Sequence, residues 1–229
     1  MTVAQQILIN GYTHVLYESE SYTEEESIAK SEAFFNWINT RRSVREYSSQ
    51  PIAKAVIENI IKAASSAPSG AHKQPWTFCA ISNASLKKEI RLAAEVEERE
   101  TYSKRMSDRW RADLAPLGTD TNKPFIEDAP WVIVAFKRVY EHEDKVKHNN
   151  YYVNESIGIA CGMLISAIHN AGLVTLTHTP SPMNFLAKLL DRPGNERAFL
   201  LLPIGYAKQP AYVPDLDRKP LEDVAVFYE

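Results

Sequence analysis

The apolar positions of the chain follow two patterns, one with helical spacing and one of short continuous runs. Residues 54–65 carry apolar side chains on one helical face, and Pro68 and Gly70 follow as terminators. We therefore expect an amphipathic helix there. The same reasoning predicts helices near 23–39, with Thr23 as its N-cap, near 85–105, near 153–170, and near 181–190, with Ser181 as the N-cap.

Four short runs are apolar enough to be strands inside a sheet, and each is bounded by polar or turn-forming residues. They are 76–82, 131–137, 173–179 and 199–206. The order of elements is mixed α and β. The first 20 or so residues have a mixed pattern that suggests a loosely held arm, and we expect residues 141–150 to form a solvated loop.

Composition favours one globular domain over 1–229, with arms at 1–21 and 207–229. An apolar fraction of 45 % in 229 residues is typical of globular enzymes. A formal charge of −3 argues against a nucleic-acid partner. The amino-terminal residues do not resemble a signal peptide, and the most apolar stretch, 156–168, is shorter than a membrane span. We expect a cytoplasmic protein without a membrane partner.

Several reaction classes lack their motifs in this chain. Phosphate-binding loops, dinucleotide fingerprints, HExxH, GxSxG and CxxC are all absent. Cys79 and Cys161 lie far apart in apolar runs, so we expect free thiols and no metal centre. If the protein is an enzyme, an organic cofactor is expected to carry the chemistry.

Arg41, Arg42 and Arg45 place three guanidinium groups within five residues. Guanidinium forks match a phosphate dianion through paired hydrogen bonds, so a phosphate ester is one candidate ligand. A non-specific basic surface is the alternative. Arg218 in the carboxyl-terminal arm either closes over the same phosphate or is a surface charge.

The loop 67–76 contains Ser69, Gly70 and Ala71 between two prolines. Small side chains allow its main chain to approach a ligand and donate hydrogen bonds. Read alone, the loop is an ordinary connection between a helix and a strand.

Glu98 and Tyr102 are i,i+4 neighbours on the predicted helix, and Lys123 follows a helix-breaking region. A carboxylate, a phenol and an amine would form a receptor for an amino-acid zwitterion. The alternative is a solvated helix and an exposed lysine.

Thr177, His178 and Thr179 end a predicted strand, where ligands of α/β sheets commonly bind. They are candidate cofactor contacts, with the Thr179 hydroxyl as a donor to a cofactor nitrogen. Alternatively, both threonines are ordinary strand residues and His178 is a satisfied strand histidine.

Taken in order, these segments resemble the iodotyrosine deiodinase branch of the FMN-dependent nitroreductase superfamily. The resemblance extends from about Trp37 to Val226. RRSVR at Arg41 and PSGAH at Pro68 are features of the superfamily, whereas Glu98, Tyr102 and Lys123 indicate the deiodinase branch.

The resemblance implies an α+β fold, with a central mixed sheet flanked by helices, in a homodimer with FMN at its interface. It assigns FMN to Arg41, Arg42, Ser43, Arg45, Arg218 and Thr179, and to Ser69 of the other subunit. It implies that the Ala71 N–H binds the substrate phenolate and that Glu98, Tyr102 and Lys123 bind its ammonium and carboxylate groups.

The implied reaction is reductive dehalogenation of a halotyrosine in one-electron steps, which a hydrogen bond from Thr179 to flavin N5 would favour. Electrons would come from a reductase or from NAD(P)H. A general nitroreductase or quinone reductase and a non-catalytic flavin or amino-acid binding protein are the alternatives.

Overall fold

The computed structural model describes residues 6–229 and divides into one unit ending at Thr40 and another, Arg41–Glu229. The first unit contains a hairpin of β1 (Gln6–Ile9) and β2 (Tyr12–Val15), then α1 (Glu24–Asn39). The mixed pattern of the first 20 residues does not predict this hairpin. Asn10 and Gly11 form its turn with φ of 51° and 84°, and an Asn-Gly pair is a strong hairpin signal. Residues 1–5 of the predicted arm lie outside the described residues.

The predicted cap of α1 is confirmed. The Thr23 hydroxyl accepts a hydrogen bond from the Glu26 N–H at 3.2 Å, and the Glu26 carboxylate accepts one from the Thr23 N–H at 2.8 Å. This reciprocal pair is a capping box, and it satisfies two backbone donors at the helix start.

The second unit contains the remaining helices and strands. In chain order these are α2 (Lys54–Ser65), β3 (Trp76–Ile81), α3 (Ala84–Glu100), α4 (Asp108–Leu114), α5 (Phe125–Asp128), β4 (Trp131–Arg138), β5 (Tyr140–Glu143), β6 (Val146–Asn149), α6 (Val153–Asn170), β7 (Val174–Thr175), α7 (Asn184–Leu189) and β8 (Glu196–Gly205). The mixed order of α and β predicted from the sequence is confirmed.

Four strands form the central sheet in the order β3-β4-β8-β7, with antiparallel neighbours. A parallel bridge adds Ser43 to the edge at Thr175. Side chains of β4 alternate between two buried layers, as the two-residue period of a strand requires. Ile133 and Ala135 pack with α2 and α6, while Val134 and Phe136 pack with α3, α5 and α7.

Three predicted elements differ from the structure. The predicted helix 85–105 is regular only to Glu100, and 101–105 form a wider π-helical turn. The predicted strand 173–179 is reduced to β7 and a separate bridge between His178 and Leu201. The predicted loop 141–150 is mostly the exposed hairpin β5–β6, whose turn residues Asp144 and Lys145 both have positive φ.

The predicted N-cap Ser181 is also wrong. Helix α7 begins at Asn184, three residues later. The Ser181 carbonyl instead accepts hydrogen bonds from the side chains of Thr101 and Arg105, at 3.4 and 2.7 Å. These long-range contacts hold Ser181 against the π-helical turn, and local spacing cannot reveal them.

The carboxyl-terminal stretch 207–229 contains a short 3-10 turn at Leu221–Asp223. Among residues 6–229, none of the helices is both long enough and apolar enough to cross a bilayer.

A buried carboxylate fastens the start of β8. Glu196 is 2 % exposed and accepts hydrogen bonds from Arg192 at 2.7 and 3.1 Å and from the Thr77 hydroxyl at 2.6 Å. We expect Glu196→Ala to lower the free energy of unfolding by about 2 kcal/mol, because it removes a buried carboxylate and leaves its half-buried donors, Arg192 and Thr77, unpaired.

Guanidinium unfolding of the purified variant measures this effect. Glu58→Ala is the control, since Glu58 pairs with Lys54 at 3.3 Å on an exposed helix face, where an ion pair contributes at most about 0.5 kcal/mol. Equal losses in the two variants would contradict a structural role for Glu196.

Candidate functional site

A cavity of about 480 Å³ lies in the second unit. Its wall is built from the segment before α2, the end of α3, the segment 101–123, the chain after β7 and the carboxyl-terminal stretch. These separate parts of the chain bring most of the predicted site residues together: Arg41, Arg42, Ser43, Arg45, Glu98, Tyr102, Lys123, Thr177, His178, Thr179 and Arg218.

The carboxyl-terminal stretch folds back onto Arg41, Arg42 and Arg45, the arginine cluster. Arg218 Nη2 donates to the Arg41 carbonyl at 3.1 Å, and the Arg42 guanidinium donates to the Pro214 carbonyl. Burial lowers the pKa of Arg41, and the neighbouring charges of Arg218 and Arg42 lower it further. The cluster therefore holds mutually repelling cations, a charge arrangement that a bound phosphate dianion would stabilise.

Arg45 also lines the cavity, and its Nε is buried without a hydrogen-bond partner in the described chain, residues 6–229. A buried unpaired donor is energetically costly, so it is a natural contact for a ligand acceptor. This unpaired donor and the neighbouring charges of Arg41, Arg42 and Arg218 both fit an anionic, acceptor-rich cofactor.

The acidic, phenolic and amine groups meet on another part of the wall. Lys123 Nζ lies 3.5 Å from Glu98 Oε2 and donates to the Thr119 hydroxyl at 3.0 Å, while the Tyr102 hydroxyl donates to the Thr119 carbonyl at 3.1 Å. The side chain of Lys123 is 3 % exposed and that of Glu98 is 14 % exposed. The buried Lys123 side chain contradicts the alternative interpretation, in which this lysine is exposed.

Burial and pairing act in opposite directions on this ion pair. Burial raises the pKa of Glu98, and Lys123 opposes that rise. Burial likewise lowers the pKa of Lys123, and Glu98 opposes that fall. Each group therefore favours the charged form of the other.

The segment after β7 presents alternate side chains differently. Thr177 and Thr179 are exposed, whereas His178 is 7 % exposed. The His178 ring contacts Phe125 edge to face at 5.5 Å, and its Nε2 lies 3.9 Å from Glu98 Oε1, too far for a hydrogen bond. Burial, Lys123 and Arg45 lower the pKa of His178 to about 3, so its imidazole is neutral at pH 7 and forms no ion pair with Glu98.

An apolar part of the wall was not predicted from the sequence. Trp110, Leu114 and Leu117, in and just after α4, line the cavity together with Met106 and Leu216. The first three have i, i+4 and i+7 spacing, which marks one face of a helix. This spacing could have revealed the apolar face from the sequence, but the charged residues that lie between these positions in α4 obscure it.

Comparisons with known proteins agree with this architecture. The Nitroreductase family model matches residues 38–206. An iodotyrosine deiodinase of Haliscomenobacter hydrossis is 54 % identical over 213 residues, which cover 93 % of this chain and 96 % of that protein. Human iodotyrosine deiodinase 1 is 43 % identical over 215 residues, covering 93 % of this chain and 74 % of that protein.

The chain belongs to the iodotyrosine deiodinase branch of the nitroreductase family. A solved structure of oxidized iodotyrosine deiodinase bound to FMN and 3-iodo-L-tyrosine superimposes with a TM-score of 0.74 at 27 % identity, covering 85 % of this chain and 98 % of that one. The resemblance to the deiodinase branch and the nitroreductase-like α+β fold expected from the sequence are thereby confirmed.

In this nitroreductase-family chain, Ser69 and Ala71 are absent from the lining of the cavity. They lie in a strained loop, in which Ala71, His72 and Gln74 have φ of 48°, 54° and 46°. The Ser69 hydroxyl supports the loop by accepting the Gln74 N–H at 2.8 Å. Positive φ is uncommon outside glycine and often occurs at functional sites. The roles predicted for Ser69 and Ala71 remain predictions.

The depressed pKa of His178 predicts a pH-dependent stability. An unfolded chain binds a proton at this histidine near pH 6.5, whereas the folded one does so only near pH 3. The unfolded state therefore holds more protons between these values, and the free energy of unfolding decreases by about 1.4 kcal/mol per pH unit as the pH falls through this window.

We expect His178→Asn to reduce this acid destabilisation, measured as unfolding free energy at pH 7 and pH 5. His148→Asn is the matched control, because His148 is exposed. A wild-type pH dependence retained in His178→Asn would show that the imidazole is not the responsible group.

Proposed function

We propose that this protein is an FMN-dependent halotyrosine dehalogenase that converts iodotyrosine to tyrosine and iodide. The observation that carries the proposal is the grouping of Glu98, Tyr102 and Lys123 in the cavity that also contains the arginine cluster. A zwitterion receptor beside a phosphate receptor suits a flavin enzyme acting on an amino acid. The deiodinase relatives and the similar structure with FMN and 3-iodo-L-tyrosine support the same conclusion.

The residues present fit FMN. Arg41, Arg42 and Arg218 would neutralise its phosphate, and Ser43 and the unpaired Arg45 Nε provide further polar contacts. Reduced FMN supplies the electrons that reductively cleave the carbon–halogen bond.

The exposed threonines that follow β7 would complete the cofactor contacts. Thr177 and Thr179 both line the cavity, and we propose that the Thr179 hydroxyl would donate a hydrogen bond to flavin N5. His178 lies between them in sequence, but its ring faces Phe125 and Glu98. We therefore expect His178 to contact the cofactor mainly through its backbone and not through its imidazole ring.

Charge balance explains how a zwitterion can enter the buried Lys123–Glu98 pair. The substrate ammonium would take Glu98 as its partner and the substrate carboxylate would take Lys123. One ion pair is thus exchanged for two, and no charge is left buried alone. The Tyr102 hydroxyl donates its one proton to the Thr119 carbonyl, and it would donate to the substrate carboxylate by exchanging that acceptor.

The apolar side chains within 106–117 would contact the substrate ring and not its charged groups. Met106, Trp110, Leu114 and Leu117 would cover the halogenated ring and exclude water from it. In the overall reaction, two electrons and one proton replace the carbon–iodine bond by a carbon–hydrogen bond and release iodide. Exclusion of water from the enclosed ring favours this outcome over transfer of the electrons to molecules in the solvent.

We include a homodimer in the proposal, with the electrons delivered by a reductase or NAD(P)H. The loop of Ser69 and Ala71 would then reach the cavity of the other subunit, where the Ala71 N–H would meet the substrate phenolate. Helix α6 supports such an assembly, because Gly158, Ile159 and Gly162 are exposed along it. A Cβ built on either glycine meets nothing within 4 Å, which leaves room for a second helix.

Turnover tests the proposed reaction. We expect anaerobically reduced protein to release iodide from 3-iodotyrosine in proportion to its FMN content and to reduce nitroaromatic compounds poorly. Iodide-selective detection and flavin absorbance follow the two processes. Fast nitro reduction without iodide release would favour a general nitroreductase, and FMN binding without either reaction would favour a binding protein.

Substrate recognition is tested by Glu98→Gln. We expect its affinity for 3-iodotyrosine to fall at least about tenfold, since a charge-assisted hydrogen bond to the ammonium is lost. FMN content should not change, because Glu98 lies outside the arginine cluster. Quenching of flavin fluorescence measures the affinity.

Glu100→Gln is the matched control for Glu98→Gln, because Glu100 pairs with Lys104 at 2.8 Å on an exposed surface of the same segment. Unchanged iodotyrosine affinity in Glu98→Gln would remove Glu98 from the receptor.

A further inference from the structure

One face of α3 is fastened along the segment that begins with Lys123. Lys87, Arg91 and Glu95 are spaced four residues apart on this face. Lys87 Nζ donates to the Glu127 and Ala129 carbonyls at 2.9 and 2.5 Å, and Arg91 Nη1 donates to the Glu127 carboxylate at 3.2 Å. The helix and the segment are thus joined by buried and half-buried polar contacts.

Glu95 is the contact nearest the cavity, and it is 6 % exposed. Its Oε1 accepts hydrogen bonds from Arg91 Nε and from the backbone N–H of Lys123, both at 2.8 Å. Burial alone would raise the pKa of Glu95, but these two hydrogen bonds, together with the charges of Arg91 and Arg99, outweigh burial and lower the pKa. The Glu95 carboxylate is therefore well suited to accept a hydrogen bond from the Lys123 backbone.

Two carboxylates of α3 consequently hold the same lysine at different points. Glu95 binds the backbone of Lys123, and Glu98, three residues later on the helix, lies 3.5 Å from its ammonium group. Residues at i and i+3 share a helix face, so one carboxylate can hold the backbone of the lysine while the other lies beside its ammonium group. Of these three residues, Glu98 and Lys123 line the cavity and Glu95 does not.

We propose that Glu95 is a positioning residue for substrate recognition: it anchors the backbone of Lys123 so that the ammonium group stands where the carboxylate of an amino-acid substrate binds. This inference rests on the proposed function. A lysine side chain has four rotatable bonds, and its direction depends on where its backbone is held. Loss of the anchor frees the start of segment 123–129 and misplaces the charge, and small displacements weaken such contacts severely.

A pair of ligands separates this role from general damage. 3-Iodotyrosine carries both an ammonium and a carboxylate, whereas 3-iodotyramine lacks the carboxylate that Lys123 would bind. In the FMN-loaded protein, we expect Glu95→Ala to bind 3-iodotyrosine about tenfold more weakly and 3-iodotyramine with nearly unchanged affinity, by flavin fluorescence quenching. Glu95→Gln keeps a carbonyl acceptor and should stay within about threefold of wild type for both.

Glu89→Ala is the control variant, because Glu89 is exposed on the same helix. Unchanged iodotyrosine affinity in Glu95→Ala would overturn the proposal, and so would equal weakening of both ligands. A Glu95→Gln variant as weak as Glu95→Ala would also overturn it, since the cause would then be charge balance with Arg91 instead of the backbone contact.

Hydrogen exchange tests the anchor independently of any substrate. We expect the Lys123 amide in the FMN-loaded protein to exchange faster in Glu95→Ala than in wild type, while amides of β4 keep their rates. An unaltered rate at Lys123 would contradict the anchor itself. If wild-type protein fails to bind 3-iodotyrosine although its Lys123 amide depends on Glu95, the proposed function fails while the structural anchor stands.

Discussion

The buried ion pair between Lys123 and Glu98 is the constraint on which the site depends. Burial shifts the pKa of each group toward its neutral form, and the charge of its partner opposes that shift. The pair therefore requires that α3 and the start of the segment 123–129 stay in register. The contacts of Lys87, Arg91 and Glu95 provide that register through hydrogen bonds to the same segment.

Arg45 connects the two halves of the cavity electrostatically. It belongs by sequence to the arginine cluster, yet its charge contributes to lowering the pKa of Lys123 and of His178 and opposes the burial-driven rise in the pKa of Tyr102. A cofactor phosphate that neutralised the cluster would weaken this influence on the zwitterion receptor. We therefore expect cofactor occupancy to affect substrate recognition through charge.

Much of the fold was predictable because its elements have simple periodicity. The predicted limits of α6 match the structure, and β3, β4 and β8 lie where continuous apolar runs predicted strands. The errors fall where a long-range contact outweighs the local signal. Ser181 has an acceptable capping sequence, but contacts with Thr101 and Arg105 hold it before α7 begins. Ala71 needs a positive φ that no propensity of alanine would suggest.

The sequence by itself determined the amphipathic helices, the buried strands, the arginine cluster before α2 and the i,i+4 placement of Glu98 and Tyr102. These features depend on neighbours along the chain, so local periodicity and residue chemistry are sufficient to find them. Only the tertiary structure decided that Lys123 returns to Glu98, that Arg218 reaches Arg41, and that Glu95 holds the Lys123 backbone. Those contacts join residues 25 to 177 positions apart, and their formation depends on how the helices pack on the sheet, which no local pattern encodes.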